Sequence, residues 1–135
     1  MDFFRTLAIA ASGLKAQSSR MRIISENIAN ADSVSEVPGG DPYRRKTITF
    51  QNALDREVGL DLVKVKKVGL DPSEFTKKYD PNNPAADKTG YVKLPNVNAL
   101  IEMSDMREAQ RSYEANLKVV EVARGMLQRT IDILR

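Results

Sequence analysis

The sequence predicts a mainly α protein, with two long terminal helices forming a coiled-coil pair and a small irregular or β segment between them. Three observations carry this. From Asp2 to about Asn30 there is no proline and one glycine, Gly13. All six prolines fall between Pro38 and Pro95, which excludes long helices there. After Pro95 the chain runs proline-free to Arg135, and both terminal stretches repeat apolar residues every seven positions.

The first element spans residues 1–33. Leu7, Leu14, Met21 and Ile28 form one column at a spacing of seven, and Phe4, Ala11, Ser18 and Ser25 form the complementary one. One column is large and the other mostly small, so a partner helix can approach closely. Ala8, Ile9, Ala10, Ala16, Ile23 and Ile24 put apolar groups on further faces. A helix apolar on more than one side expects more than one neighbour.

The middle segment spans residues 34–95. Its strand candidates are Tyr43–Phe50, Leu60–Val68 and Tyr91–Leu94, the second alternating around Val63, Lys64, Val65 and Lys66. Asp80-Pro81-Asn82-Asn83-Pro84 reads as an exposed, mobile loop. Arg44-Arg45-Lys46 is the one basic cluster, and it reads as a solvated strand edge.

The last element spans residues 96–135, capped by Asn96 or Asn98. Met106, Tyr113, Val120, Leu127 and Leu134 fall at sevens. Met103, Leu117 and Ile131 fill a second column that Gln110 and Arg124 interrupt. Gly125 costs about 1 kcal/mol relative to alanine inside a helix, and its expected use is close approach of another backbone. Apolar seams at the two ends of the chain imply that the termini pair with each other. Each large side chain contributes about 1.5–3 kcal/mol when buried, against about 1–2 kcal/mol of backbone entropy for each ordered residue. A lone helix pair is therefore marginal, and further neighbours are expected.

Composition removes most other functions. The 135 residues contain no cysteine and no histidine, which excludes thiol nucleophiles, histidine acid–base chemistry and zinc sites built on either residue. No glycine-rich phosphate loop is present, and the carboxylates are scattered without a distinctive pair. No enzyme activity, cofactor or metal is expected. The net charge of +3 is spread along the chain, so a nucleic-acid module is not indicated. No run is long and apolar enough to span a membrane. Met1-Asp2-Phe3-Phe4-Arg5 lacks the features of a cleavable secretory signal. Taken alone this points to the cytosol, although a non-cleaved export route leaves the same record.

Ser25-Glu26-Asn27-Ile28-Ala29-Asn30-Ala31-Asp32-Ser33 resembles the N-terminal signature of the flagellar axial proteins, the rod, hook and hook-associated family, with Ser33 where threonine is usual. Gly39–Lys46 resembles the segment that follows in the proximal rod branch of that family. The block Gly90-Tyr91-Val92-Lys93-Leu94-Pro95-Asn96-Val97-Asn98 is similar to that branch's most distinctive run. Arg111–Leu117 is similar to its C-terminal signature. The likeness covers nearly the whole chain in order.

The resemblance implies a structural subunit of the flagellar proximal rod, assembling helically through its terminal helices. It implies export through the flagellar type III apparatus and location in the periplasm within the basal body. It also implies contacts with other rod subunits, with copies of itself, and with basal-body ring and adaptor proteins. The absence of cysteine suits an oxidising compartment. The expected assembly interface is Phe4, Leu7, Ala11, Leu14, Met21, Asn27, Ile28 and Asn30 on the first helix. On the second it is Met106, Tyr113, Asn116, Leu117, Val120, Leu127, Ile131 and Leu134. Asn30 is expected as a left-handed C-cap, Asn27 and Asn116 as register-setting polar residues, and Tyr113 as core. A soluble helical adaptor that binds one partner through its termini is the alternative.

Overall fold

The computed structural model describes residues 2–135; Met1, the first residue of the expected N-terminal segment, lies outside the described residues. The order of elements is α1 (Phe3–Ala29), β1 (Lys46–Asp55), β2 (Leu60–Leu70), β3 (Thr76–Tyr79), β4 (Tyr91–Leu94) and α2 (Ala99–Ile133). β1 pairs with β2, and β3 pairs with β4. The chain divides into two compact units, and both helices contribute to each.

The first unit holds α1 up to Met21, Ile48–Lys67 and Arg107–Arg135. Asp2 starts α1 by accepting the Phe4 amide at 3.0 Å on its carboxylate. α1 and α2 run antiparallel here. The Asn116 amide lies against Gly13, where a Cβ would come within 2.8 Å of it, and Arg20 meets Glu108 at 3.4 Å. Ala10 and Ala16 of α1 and Ala109 and Ala123 of α2 are buried. β1 and β2 form a hairpin around a turn in which the Asp55 carboxylate accepts the Glu57 amide. Gly59, at φ 69°, closes the turn. The hairpin meets α1 where the Val63 amide donates to the Ser12 hydroxyl at 3.4 Å.

The second unit holds Arg22–Thr47 and Val68–Met106. Its buried members include Ile23, Ile24, Asn27, Ala85, Val92 and Glu102, with Pro42, Gly90 and Pro95. β3 and β4 are antiparallel, with Thr76 opposite Leu94 and Tyr79 opposite Tyr91. The two tyrosine rings meet edge to face at 5.3 Å. Gly90 turns at φ 84° beneath Tyr79, where a Cβ would lie 2.8 Å from the ring.

The expected helices and β middle are present, and several details differ from the sequence reading. β3 was not anticipated. β1 begins at Lys46 and runs to Asp55, because Tyr43, Arg44 and Arg45 are held by other bonds. Pro81, Asn82 and Pro84 of the Asp80–Pro84 loop are exposed as expected, but the residues that follow tie the loop down. Ala85 is buried, the Gly39 amide donates to the Ala85 carbonyl at 3.1 Å, and the Asp87 carboxylate accepts from Thr89 and from the Tyr91 amide. The prolines there shape a compact turn. Asn98 is the cap of α2, its Oδ1 accepting the Leu100 amide at 3.1 Å. Asn96 instead accepts the Arg45 amide at 2.7 Å and donates to the Asp71 and Ser73 carbonyls.

Asn30 does not adopt the left-handed conformation, since no described residue other than glycine has positive φ. It ends α1 by donating its amide to the Glu26 carbonyl at 2.9 Å. Gly125 makes no close approach, since a Cβ there would meet no neighbouring element within 4 Å; between the two helices a close approach occurs at Gly13, against the Asn116 side chain.

Candidate assembly interface

Two features organise the helix surfaces, and the first is a polar knot in the second unit. The Asn27 side chain is 1% exposed and acts as a second peptide group. Its Oδ1 accepts the Lys46 amide at 2.9 Å and its Nδ2 donates to the Lys46 carbonyl at 2.9 Å. Tyr43 donates its hydroxyl to the same Oδ1 at 2.8 Å, and Nδ2 also reaches Glu102 at 3.3 Å. The helix therefore ends in a ready-made strand partner that fixes where β1 begins.

Glu102 is 0% exposed. A carboxylate so buried needs a counter-charge, and Arg45 supplies it through Nε. Arg45 also meets Asp71 at 3.3 Å and Asp105 at 3.9 Å. Burial works to lower the Arg45 pKa, but the Glu102 and Asp71 carboxylates outweigh it and hold it above its ordinary value. The Lys46 ammonium hydrogen-bonds Glu26 at 2.8 Å, which lowers the Glu26 pKa and raises that of Lys46. Burial raises the Tyr43 phenol.

Arg44 donates to the carbonyls of Asp71 and Ser73 and lies 4.2 Å over the Phe75 ring. The Arg44-Arg45-Lys46 run is thus not a solvated strand edge. Every member is tied to a specific partner, because Glu26, Asp71 and Glu102 converge on it.

The second feature is the pair of helix faces. The structure buries Asn27 and leaves Leu7, Leu14, Met21, Ile28 and Asn30 half-buried on α1, with Phe4 and Ala11 exposed. On α2, Met106, Tyr113, Asn116, Val120 and Leu127 are half-buried, and Leu117, Ile131 and Leu134 are exposed. The column Met106–Leu127 thus lies along the intrachain face. The column of Met103, Leu117 and Ile131 points outward, and its place inside is taken one residue earlier by Glu102, Ala109, Asn116 and Ala123. The most buried positions of α2 are thus small or polar, the Met106–Leu127 column flanks them half-buried, and the large side chains of the Met103–Ile131 column face out.

A further exposed stripe on α2, Val119, Val122 and Met126, was not singled out from sequence. Its three- and four-residue spacing was the available signal. With Phe3 and Thr6 of α1 it lines a groove of about 600 Å3 in the first unit. Glu26, Tyr43, Arg45 and Glu102 were likewise missed as position-setting residues, since their partners lie far apart in sequence.

Comparison with known proteins agrees with this layout. A profile described as flagella basal body rod protein matches residues 7–35. One described as flagellar basal body rod FlgEFG protein C-terminal matches residues 88–133. The chain is 60% identical over 127 residues to the flagellar basal-body rod protein FlgC of Agrobacterium fabrum, covering 94% of this chain and 91% of that one. It is 42% identical over 135 residues to FlgC of Salmonella typhimurium, covering 98% of each. It is 36% identical over 148 residues to FlgC of Bacillus subtilis, covering 98% of this chain and 99% of that one. A likeness this extensive, spanning both helices and the β segment between them, means that the chain belongs to the FlgC family of flagellar basal-body rod proteins and is a structural rod subunit.

Proposed function

We propose that the chain assembles helically, with the outer faces of its terminal helices as the contact surfaces, to build the proximal part of the flagellar drive shaft. The observation that carries this is the outward row of large apolar side chains on both helices, including Phe4, Leu117, Val122 and Ile131. Exposed apolar surface of this extent marks an interaction site. In this reading residues 1–33 and 96–135 are axial segments, and 34–95 is a middle segment held to them by the polar knot. The interface comprises the outward members Phe4, Ala11, Leu117, Ile131 and Leu134, with the half-buried columns beside them. Asn27, Asn30 and Asn116 act through the register and the ends of the helices.

The partners are copies of this chain, other rod subunits, and ring and adaptor proteins of the basal body. The chain reaches the periplasm through the flagellar type III apparatus and performs no catalysis. Co-purification of the tagged chain with detergent-extracted basal bodies, imaged by electron microscopy, tests this. Recovery in the rod is expected. A chain that remains in the soluble fraction with a single partner would favour the adaptor alternative.

A further inference from the structure

The outer face of the β3–β4 ribbon carries a two-by-two array of side chains. Tyr79 lies opposite Tyr91, and Lys77 lies opposite Lys93. Residues two apart on a strand share a face, so an aromatic row and a cationic row lie side by side, about 7 Å apart. The other face points inward, since Val92 is buried. Tyr79 is 62% exposed and Tyr91 is 44% exposed. A third row is closed, because the Arg44 guanidinium lies over the Phe75 ring.

Ribbon stability accounts for the tyrosine pair, which gains from its edge-to-face contact. It does not account for the lysines. Like charges directly opposite each other destabilise an antiparallel pair. Asp41 offsets Lys93 at 3.0 Å, while Lys77 forms no ion pair among the described residues. Asp87 senses the Lys77 charge, but its carboxylate is held by Thr89 and Tyr91. A local rule broken in this way, beside two exposed rings, marks a surface shaped for a ligand.

The two lysines line a cleft of about 390 Å3 together with Asp41 and Glu74. Its mixed signs decide between ligands. A polyphosphate chain carries a charge at every unit, and both carboxylates repel it. A glycan carries hydroxyl groups that donate to Asp41 and Glu74, more widely spaced carboxylates for Lys77, and ring C–H groups that meet the negative face of a tyrosine. We propose that this face binds an acidic glycan, a sugar polymer bearing carboxylate groups, laid across the ribbon. The inference does not depend on how the helices assemble.

The test sediments the intact chain with purified peptidoglycan sacculi, sugar strands whose attached peptides bear carboxylates. The wild-type chain is expected in the pellet, and oligogalacturonate is expected to release it. Tyr79→Ala should weaken binding about tenfold, the scale of one lost stacking contact. Lys77→Glu sets opposite charges across the ribbon, so its urea midpoint should hold or rise while its binding falls by a similar factor. A purely structural role would move stability and binding together. A wild-type chain that stays in the supernatant, or variants that bind as wild type does, would overturn the site. Release by poly-glutamate as effective as release by oligogalacturonate would overturn the sugar and favour an acidic peptide. Release by single-stranded DNA alone would overturn the glycan and favour a nucleic acid.

Discussion

Replacing Asn27 by alanine removes four hydrogen bonds at once. Lys46 loses a partner for both its amide and its carbonyl, Tyr43 loses its acceptor, and Glu102 loses one of its donors. Each such bond contributes roughly 0.5–1.5 kcal/mol net, and buried groups left unmatched cost more. Lys46 and Tyr43 are only half-buried, so water reaches them in the variant and tempers the loss. We expect about 3 kcal/mol, or roughly a hundredfold in the opening equilibrium of the second unit. Hydrogen exchange at the Arg45 amide, which is bonded to Asn96 and not to Asn27, reports that opening without a direct effect of the substitution. Its protection factor should fall about a hundredfold. Asn27→Asp should do at least as much harm, since it sets a second carboxylate beside Glu102 and gives up both donors. An Asn27→Ala variant with Arg45 protection and urea midpoint equal to wild type would refute the peptide-mimic account.

Gly13→Ala should gain less than the usual ~1 kcal/mol of helix propensity, because its Cβ meets the Asn116 amide at 2.8 Å. Adding Asn116→Ala should release the remainder, and additive single effects in a double-mutant cycle would contradict the contact. Leu117→Asp lies on an exposed position, so it should leave the melting temperature of the isolated chain nearly unchanged while abolishing motility. Motile cells would remove Leu117 from the assembly interface. The Thr89 hydroxyl, followed by the amides of Tyr91 and Thr89, holds the Asp87 pKa below its ordinary value. Its contribution is present above the ordinary carboxylate range and is lost as pH falls through the depressed folded value. Acid unfolding followed by circular dichroism should therefore be less steep in Asp87→Asn, and an unchanged acid limb would sink this assignment.

The helices were legible because proline is confined to the middle and Asn98 marks the start of α2. β2 and β4 were legible from alternation and from flanking glycine and proline. β3 was not, since every residue of Thr76-Lys77-Lys78-Tyr79 is on the exposed side and the strand exists by virtue of its pairing with Tyr91–Leu94. A search for large aliphatics at sevens recovered the Met106–Leu127 column but placed its companion one residue too late. The intrachain contact uses Gly13, Ala16, Ala109 and Ala123, which such a search ranks low. The role of the basic cluster was hidden for a different reason. Arg45 and Glu102 are 57 residues apart, and nothing local in the sequence couples them.

That long separation has a kinetic consequence. The Asn27–Glu102 bond closes over 75 residues, and the Asn96 amide must also reach back 51 residues to Arg45. The knot has no stable half: Asn27 and Lys46 alone would leave Arg45 without its buried counter-charge. Ring closure over such spans sets a slow, late step. A chain delivered from its N-terminus must have released residue 102 before the entry to β1 can lock. Until then the stretch around Lys46 is open to proteases. Timed proteolysis at Arg44–Lys46 during refolding, compared with a chain truncated after Pro95, would read this delay directly.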